Sequence, residues 1–300
     1  MPHGLSYPGL RCVLKNLEAV KRAHIIGRSP GLQKVDKLIP LCLKDFYIAR
    51  DEMTINTLTI KYAKGEVKFQ MNGKTISRQI SESREDKMKK FFNFYISGRS
   101  IIHVDWLCWS HGFLPEDVDL KFRVNSLSTT YSCFNTAISF IDPRSFPLKT
   151  LFTSIANTSI FDSQVVKSAE TLLLNLAVDR IVTVEDLKKL NNQTVVFKYL
   201  DHTTVDMVSL IKYHIETKKA TGPTFVISTS DKGFIDNMLH QFELAFGENR
   251  GILDGVNERF VPGSSRFSIP ISDKSRIHIY AKKASHKGFY EIIVNPVSGL

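Results

Sequence analysis

Val67-Lys68-Phe69-Gln70-Met71-Asn72-Gly73-Lys74-Thr75-Ile76 sets the character of the fold. Val67, Phe69 and Met71 alternate with charged or polar neighbours, the two-residue period of a strand with one wet face. Asn72-Gly73 then supplies a two-residue turn, since both residue types tolerate positive φ, and the chain returns through Thr75, Ile76 and Ile80. Upstream, Leu41, Leu43, Phe46 and Ile48, then Ile55, Leu58, Ile60 and Tyr62, read as further strands. Residues about 41–80 are therefore expected to form an antiparallel meander. The charged run at Ser81–Lys87 begins a helix that continues into Phe91 and Phe94.

Outward from this core the period changes. Toward the N-terminus, Leu10, Val13, Leu14 and Leu17 fall on one face at helical spacing after Pro8-Gly9, predicting a helix over 10–23. Gly27, Pro30 and Gly31 break it, and a second short helix is expected at 30–38 before Pro40. This hairpin, residues 1–40, is too small to bury a core of its own.

Toward the C-terminus, short apolar strands recur at Leu120–Val124, Leu148–Phe152, Thr171–Leu176, Thr194–Tyr199 and Thr224–Ile227. Helical segments lie between several of them, at Asp162–Ser168, Val184–Leu190 and Thr204–Lys218. Strand plus helix at this spacing fits an irregular leucine-rich-repeat-like array or a plain parallel sheet with crossovers. A last helix is capped by Ser230 or Asp231, buries Ile235, Met238, Leu239, Phe242 and Phe246, and ends at Gly247. Arg266–Ile271, Arg276–Tyr280 and Tyr290–Val294 read as closing strands. The expectation is a mixed α/β fold: helical module 1–40, then an α/β body 41–300 with strand–helix repeats at about 95–250 and closing strands at about 260–295.

Composition bounds the function. With 43% apolar residues in 300, the chain has ample material for a core. Cys12, Cys42, Cys108 and Cys133 form no C-x-x-C pair, which argues against a disulfide scaffold or a cysteine-based zinc module. No apolar leader segment follows Met1 and no run of eighteen apolar residues occurs. An intracellular, cytoplasmic or nuclear location without a membrane span is expected. The net charge of +10 is carried by residues 1–100, which hold 19 Lys and Arg against 9 Asp and Glu. Such a field attracts acidic partners, nucleic acid among them, although no nucleic-acid-binding module is recognisable.

Catalytic and cofactor signals are weak. His103, Asp105, Cys108 and His111 lie within nine residues, but a strand through Ile101–Leu107 would put His103 and Asp105 on one face and Cys108 on the other. No nucleophile elbow, phosphate loop or dinucleotide fingerprint is present. Gly263-Ser264-Ser265 reads as a turn into a strand, and Glu116-Asp117-Val118-Asp119 as a solvated acidic turn. No metal, no cofactor and no enzymatic activity are expected.

Leu5-Ser6-Tyr7-Pro8-Gly9-Leu10, Lys21-Arg22, Ser29-Pro30, Asp36–Leu41, Ser97–Ile101 and Arg259–Ile271 resemble a nematode-expanded family carrying a domain-of-unknown-function label. The first forty residues also resemble a degenerate F-box, the helical module that docks on a Skp1-type adaptor of a ubiquitin ligase. Leu5, Pro8, Val13, Leu14 and Leu17 fill its apolar positions, although Leu5 and Pro8 are not adjacent and no tryptophan closes the motif. The resemblance implies a protein-interaction function, most concretely a substrate adaptor, with Leu5, Pro8, Leu10, Val13, Leu14 and Leu17 as the partner-binding set. Binding of nucleic acid or another polyanion through the basic first third is the alternative.

Overall fold

The N-terminal apolar stripe makes two helices where one was expected over 10–23. In a computed structural model, which describes residues 7–99, 101–110, 120–155, 157–176, 182–198, 205–218, 222–249, 251–253, 256–285 and 288–298, α1 spans Tyr7–Asn16 and α2 spans Ala19–Gly27. Glu18 makes the break. Its carboxylate accepts from the Val20 and Lys21 N–H groups at 3.0 and 3.1 Å, satisfying donors that a helix start leaves orphaned. α3 (Pro30–Lys37) follows with proline at its start, as expected.

The chain divides into two compact units, Met1–Ser145 and Phe146–Leu300. The first continues through β1 (Leu41–Ala49), β2 (Glu52–Ile55), β3 (Leu58–Ala63), β4 (Glu66–Met71), β5 (Lys74–Gln79), α4 (Arg84–Tyr95), β6 (Ile102–Ser110), β7 (Phe122–Thr129) and α5 (Phe134–Ser139). Its strand order is β7-β6-β1-β2-β3-β4-β5. β1 to β5 form the expected antiparallel meander, while β6 and β7 add to β1 in parallel. Asn72 and Gly73 take φ of 52° and 76°, the turn whose twist matches a right-handed hairpin. The strand foreseen at Leu120–Val124 starts two residues later and runs on to Thr129. α4 covers the apolar side of the sheet: Phe92 stacks near Phe46 with centroids 6.5 Å apart, and Phe91 meets Phe69 edge-on at 5.3 Å.

A buried ion triad ties the helices to this sheet. Arg22 of α2 donates its Nε–H to Asp36 of α3 at 2.5 Å, and its other nitrogens donate to the carbonyls of Asp36, Ile39 and Pro40. Arg99, in the segment joining α4 to β6, approaches the other Asp36 oxygen at 2.6 Å. All three side chains are at most 4% exposed. Gly98 makes the approach possible: its φ of 75° is a conformation that side chains disfavour, and an added Cβ would lie 3.3 Å from Lys37.

The second unit holds β8 (Thr150–Ile155), α6 (Gln164–Ser168), β9 (Thr171–Leu176), α7 (Val184–Lys188), β10 (Thr194–Lys198), α8 (Met207–Thr217), β11 (Thr224–Thr229), α9 (Lys232–Phe246), β12 (Phe267–Ser272), β13 (Ser275–Lys283) and β14 (Tyr290–Ser298). Its order is β12-β13-β14-β11-β10-β9-β8. β8 to β11 are parallel and share one register. Thr150, Thr171, Thr194 and Thr224 align at the strand starts, and Leu151, Leu172, Val195 and Phe225 form the buried row behind them. The alternation of strand and helix read from the sequence is thus present, with the first of these strands beginning at Thr150 and not Leu148. Asp231 caps α9, and Ile235, Leu239, Phe242 and Phe246 make its buried stripe, whereas Met238, expected in that stripe, is only half-buried at its edge.

Asp36→Asn leaves two buried guanidiniums without a carboxylate. It should cost about 3–5 kcal/mol of unfolding free energy, the typical penalty for orphaning one side of a buried ion pair. Urea denaturation followed by tryptophan fluorescence reads this loss; an unchanged midpoint would show that the triad contributes nothing.

Candidate functional site

The residues expected to bind a partner at the N-terminus divide by burial. Leu14 is 1% exposed and packs with Ile26 and Ile39, with Leu10, Leu17, Leu32 and Val35 around them. Val13 is 44% exposed, Pro8 is exposed, and Leu5 lies outside the described residues. The stripe is therefore split: Leu10, Leu14 and Leu17 hold α1 onto α2 and α3, and Pro8 and Val13 remain on the surface. A second polar link secures the module. The Glu18 side chain accepts from Asn56 at 3.0 Å, and the Asn56 amide oxygen accepts from the Lys44 backbone N–H at 2.9 Å.

A broader exposed surface lies on the parallel strands β1, β6 and β7. Each buries the same spaced series with one step doubled: Leu41, Leu43, Phe46 and Ile48; Ile102, Val104, Leu107 and Trp109; Phe122, Val124, Leu127 and Thr129. At the doubled step Lys44-Asp45 and Asp105-Trp106 both turn to solvent, and in β7 Asn125 is exposed with Ser126 buried beside it. In register across the three strands the outward rows are Cys42, His103 and Arg123, then Asp45 and Trp106, then Tyr47, Cys108 and Ser128. Trp106 is 37% exposed, an amphipathic ring held on a strand interior. Beside it Asn125 donates to Asp105 at 2.8 Å.

The doubled step corrects one reading. Cys108 does not oppose His103; the extra outward residue returns it to the same side. Burial pushes the Cys108 thiol up, against a smaller opposing hydrogen bond with Ser128, so it is a poor thiolate. His111 and Glu116–Asp119 lie outside the described residues. Among the described residues no group of three or more His, Cys, Asp or Glu side chains is placed to hold a metal. Trp109 is internal, stacked on Phe140 with centroids 4.8 Å apart.

One end of the face is a small polar recess. A cavity of about 220 Å³ is lined by His103, Asp105, Arg123, Asn125, Arg144 and Ser145. Asp142 organises it, accepting from Arg144 at 2.7 Å and from Arg123 at 3.2 Å. Hydrogen bonds from the Arg144 side chain and backbone, then from Arg123, hold its carboxyl well below the usual carboxylate range. Arg123 and Arg144 are thus balanced by Asp142 and by Asp105, and the recess is strongly polar without an excess of either sign.

The motif segments carry structure. Arg22, Asp36 and Arg99 are the ion triad. Arg259–Ile271 folds a segment over β13 and β14: Val261 donates its N–H to the Ala281 carbonyl at 2.9 Å, Phe260 meets Tyr280 edge-on at 5.5 Å, and Arg266 lies 4.6 Å over the Phe260 ring. Ser264 donates to the Val261 carbonyl, the turn expected there. Residues 83–231 match the family model described as Domain of unknown function (DUF3557), so the resemblance to a domain-of-unknown-function family holds over that stretch. No curated protein and no solved structure matches the chain. No described helix is long and apolar enough to cross a membrane.

Signals for the strand face were in the sequence. The pattern apolar-x-apolar-x-x-apolar-x-apolar recurs from Leu41 and Ile102 and, with Thr129 in the last place, from Phe122, but strict alternation hides it.

A depressed carboxyl pKa gives stability that is present above the unfolded value of about 3.9 and lost as pH falls through the folded one. The melting temperature of the wild type should therefore fall more between about pH 5 and pH 2 than that of Asp142→Asn. Parallel falls would show that the Asp142 carboxylate adds no stability.

Proposed function

We propose that this protein is a non-enzymatic protein-interaction module that receives its partner on the open face of β1, β6 and β7. The observation that carries the reading is Trp106, exposed in mid-strand and flanked by Asp45, Tyr47, His103 and Arg123 on one rigid sheet. Tryptophan, tyrosine and arginine dominate the energetics of protein interfaces, and a strand holds them at little entropic cost. The parallel strands with helical crossovers support the further reading of the body as an irregular leucine-rich-repeat-like array.

In its most specific form the protein is an F-box-like substrate adaptor, with α1 meeting a Skp1-type adaptor and the strand face holding substrate. Val13 and Pro8 are the groups available for that contact, with Leu14 committed to the interior. The second reading, binding of nucleic acid or another polyanion, draws support from Lys64, Lys68, Lys74 and Arg78, all exposed within residues 64–79. Salt separates the two, because counterion release makes polyanion binding fall steeply with ionic strength and apolar docking does not.

Cross-linking mass spectrometry on the immobilised chain provides the test. Partners should be lost with Trp106→Ala and kept with Val13→Asp, whereas binding of a purified Skp1-type adaptor should be lost with Val13→Asp. A partner set indifferent to Trp106→Ala, at unchanged melting temperature, would sink the strand-face reading.

A further inference from the structure

The outer end of the meander carries a surface independent of the Trp106 face. Beyond β4 the sheet ends at β5, whose six residues are all exposed and whose far backbone edge pairs with no strand among the described residues. Lys74 faces Met71, Ile76 faces Phe69 and Arg78 faces Val67 across the β4–β5 ladder, so all six share one side of the sheet. On that side a groove of about 540 Å³ opens between the hairpin and the helices α2 and α4. Leu58, Phe69, Met71 and Ile76 form its floor, and Val20, His24 and Tyr95 its wall. Ile76 is 62% exposed and Met71 38%. Lys74, Arg78 and His24 line the groove, and among the described residues no carboxylate does.

We propose that β5 and this groove bind an extended, acidic segment of a partner protein as an added β-strand, with the pattern carboxylate–x–apolar–x–carboxylate. An edge strand supplies free N–H and C=O groups for such a segment, and alternate side chains supply the specificity. The order follows from β5 itself. A strand added beside Lys74, Ile76 and Arg78 places its groove-facing residues opposite a cation, an apolar side chain and a cation. Carboxylates complement the outer two, and a large apolar residue extends the exposed Ile76–Met71 floor. A second copy of this chain fits badly: antiparallel β5 pairing centred on Ile76 would set Lys74 opposite Arg78 twice, and like charges directly opposed destabilise a ladder. Thr75, Ser77 and Gln79 occupy the other face of β5 and leave the groove chemistry unaffected.

The test uses the full chain and a fluorescent, end-blocked heptapeptide, Thr-Glu-Thr-Ile-Thr-Glu-Thr, with fluorescence anisotropy as readout. Three controls accompany it: the same peptide with both Glu replaced by Lys, a scrambled peptide with the two Glu adjacent, and one with the Ile replaced by Ser. The acidic alternating peptide should bind most tightly. Lys74→Glu/Arg78→Glu should weaken it by about tenfold and turn the preference toward the lysine peptide, an effect in the range of two cross-strand charge pairs. Ile76→Asp should abolish it. Because these side chains are exposed, circular dichroism should show unchanged folding. Equal binding of the scrambled peptide would overturn the strand pattern, leaving only general charge attraction. Failure of the acidic peptide to bind, or a concentration-dependent dimer in ultracentrifugation that Ile76→Asp abolishes, would overturn the proposal. None of these outcomes bears on Trp106, so the strand-face reading stands or falls separately.

Discussion

One carboxylate holds the first unit together. Asp36 is shared by Arg22 and Arg99, and the three come from a helix, a second helix and the segment entering β6. Removing such charges from water is expensive, and only dense pairing offsets it. Here the offset includes the Asp36, Ile39 and Pro40 carbonyls, which Arg22 satisfies just where α3 gives way to β1. Burial pulls the Arg99 pKa down while Asp36 opposes that shift. The contact therefore sets the orientation of the module more than it adds stability, since a well-packed apolar triad would serve stability equally.

Much else follows from that orientation. With α2 and α3 fixed, Ile26 and Ile39 present a surface that Leu10, Leu14 and Leu17 complete. The same fixing brings α2 alongside α4, where His24 lies 3.3 Å from the Tyr95 hydroxyl, and so builds the wall of the groove beside β5. The N-terminal helices thus act as part of the fold: Leu10, Leu14 and Leu17 pack within it, while Pro8, Val13 and Ile25 stay exposed.

Local rules made much of the fold legible. The Val67–Ile76 hairpin, the α9 stripe and the parallel strands from Thr171 onward follow from period and turn chemistry, which act over a few residues. What local rules miss is what distant residues decide. Glu18 breaks a continuous apolar stripe because its carboxylate is recruited by α2 and by Asn56, a partner 38 positions away. The ion triad joins positions 22, 36 and 99, and nothing in the composition separates those two arginines from the others of a basic chain. The doubled outward step of β1, β6 and β7 was visible as pattern but meaningful only once the three strands were aligned. The candidate surface at Trp106 was correspondingly hidden, since an isolated strand does not reveal which of its faces a sheet leaves open.

Amide hydrogen exchange of the wild-type chain tests most directly whether the module is built in. The Leu14 and Leu17 amides should exchange as slowly as those of Val20 and Ala23 in α2, because α1 opens only when the shared core opens. Exchange of the α1 amides within the dead time, with α2 still protected, would contradict the account and show a helix free to dock elsewhere.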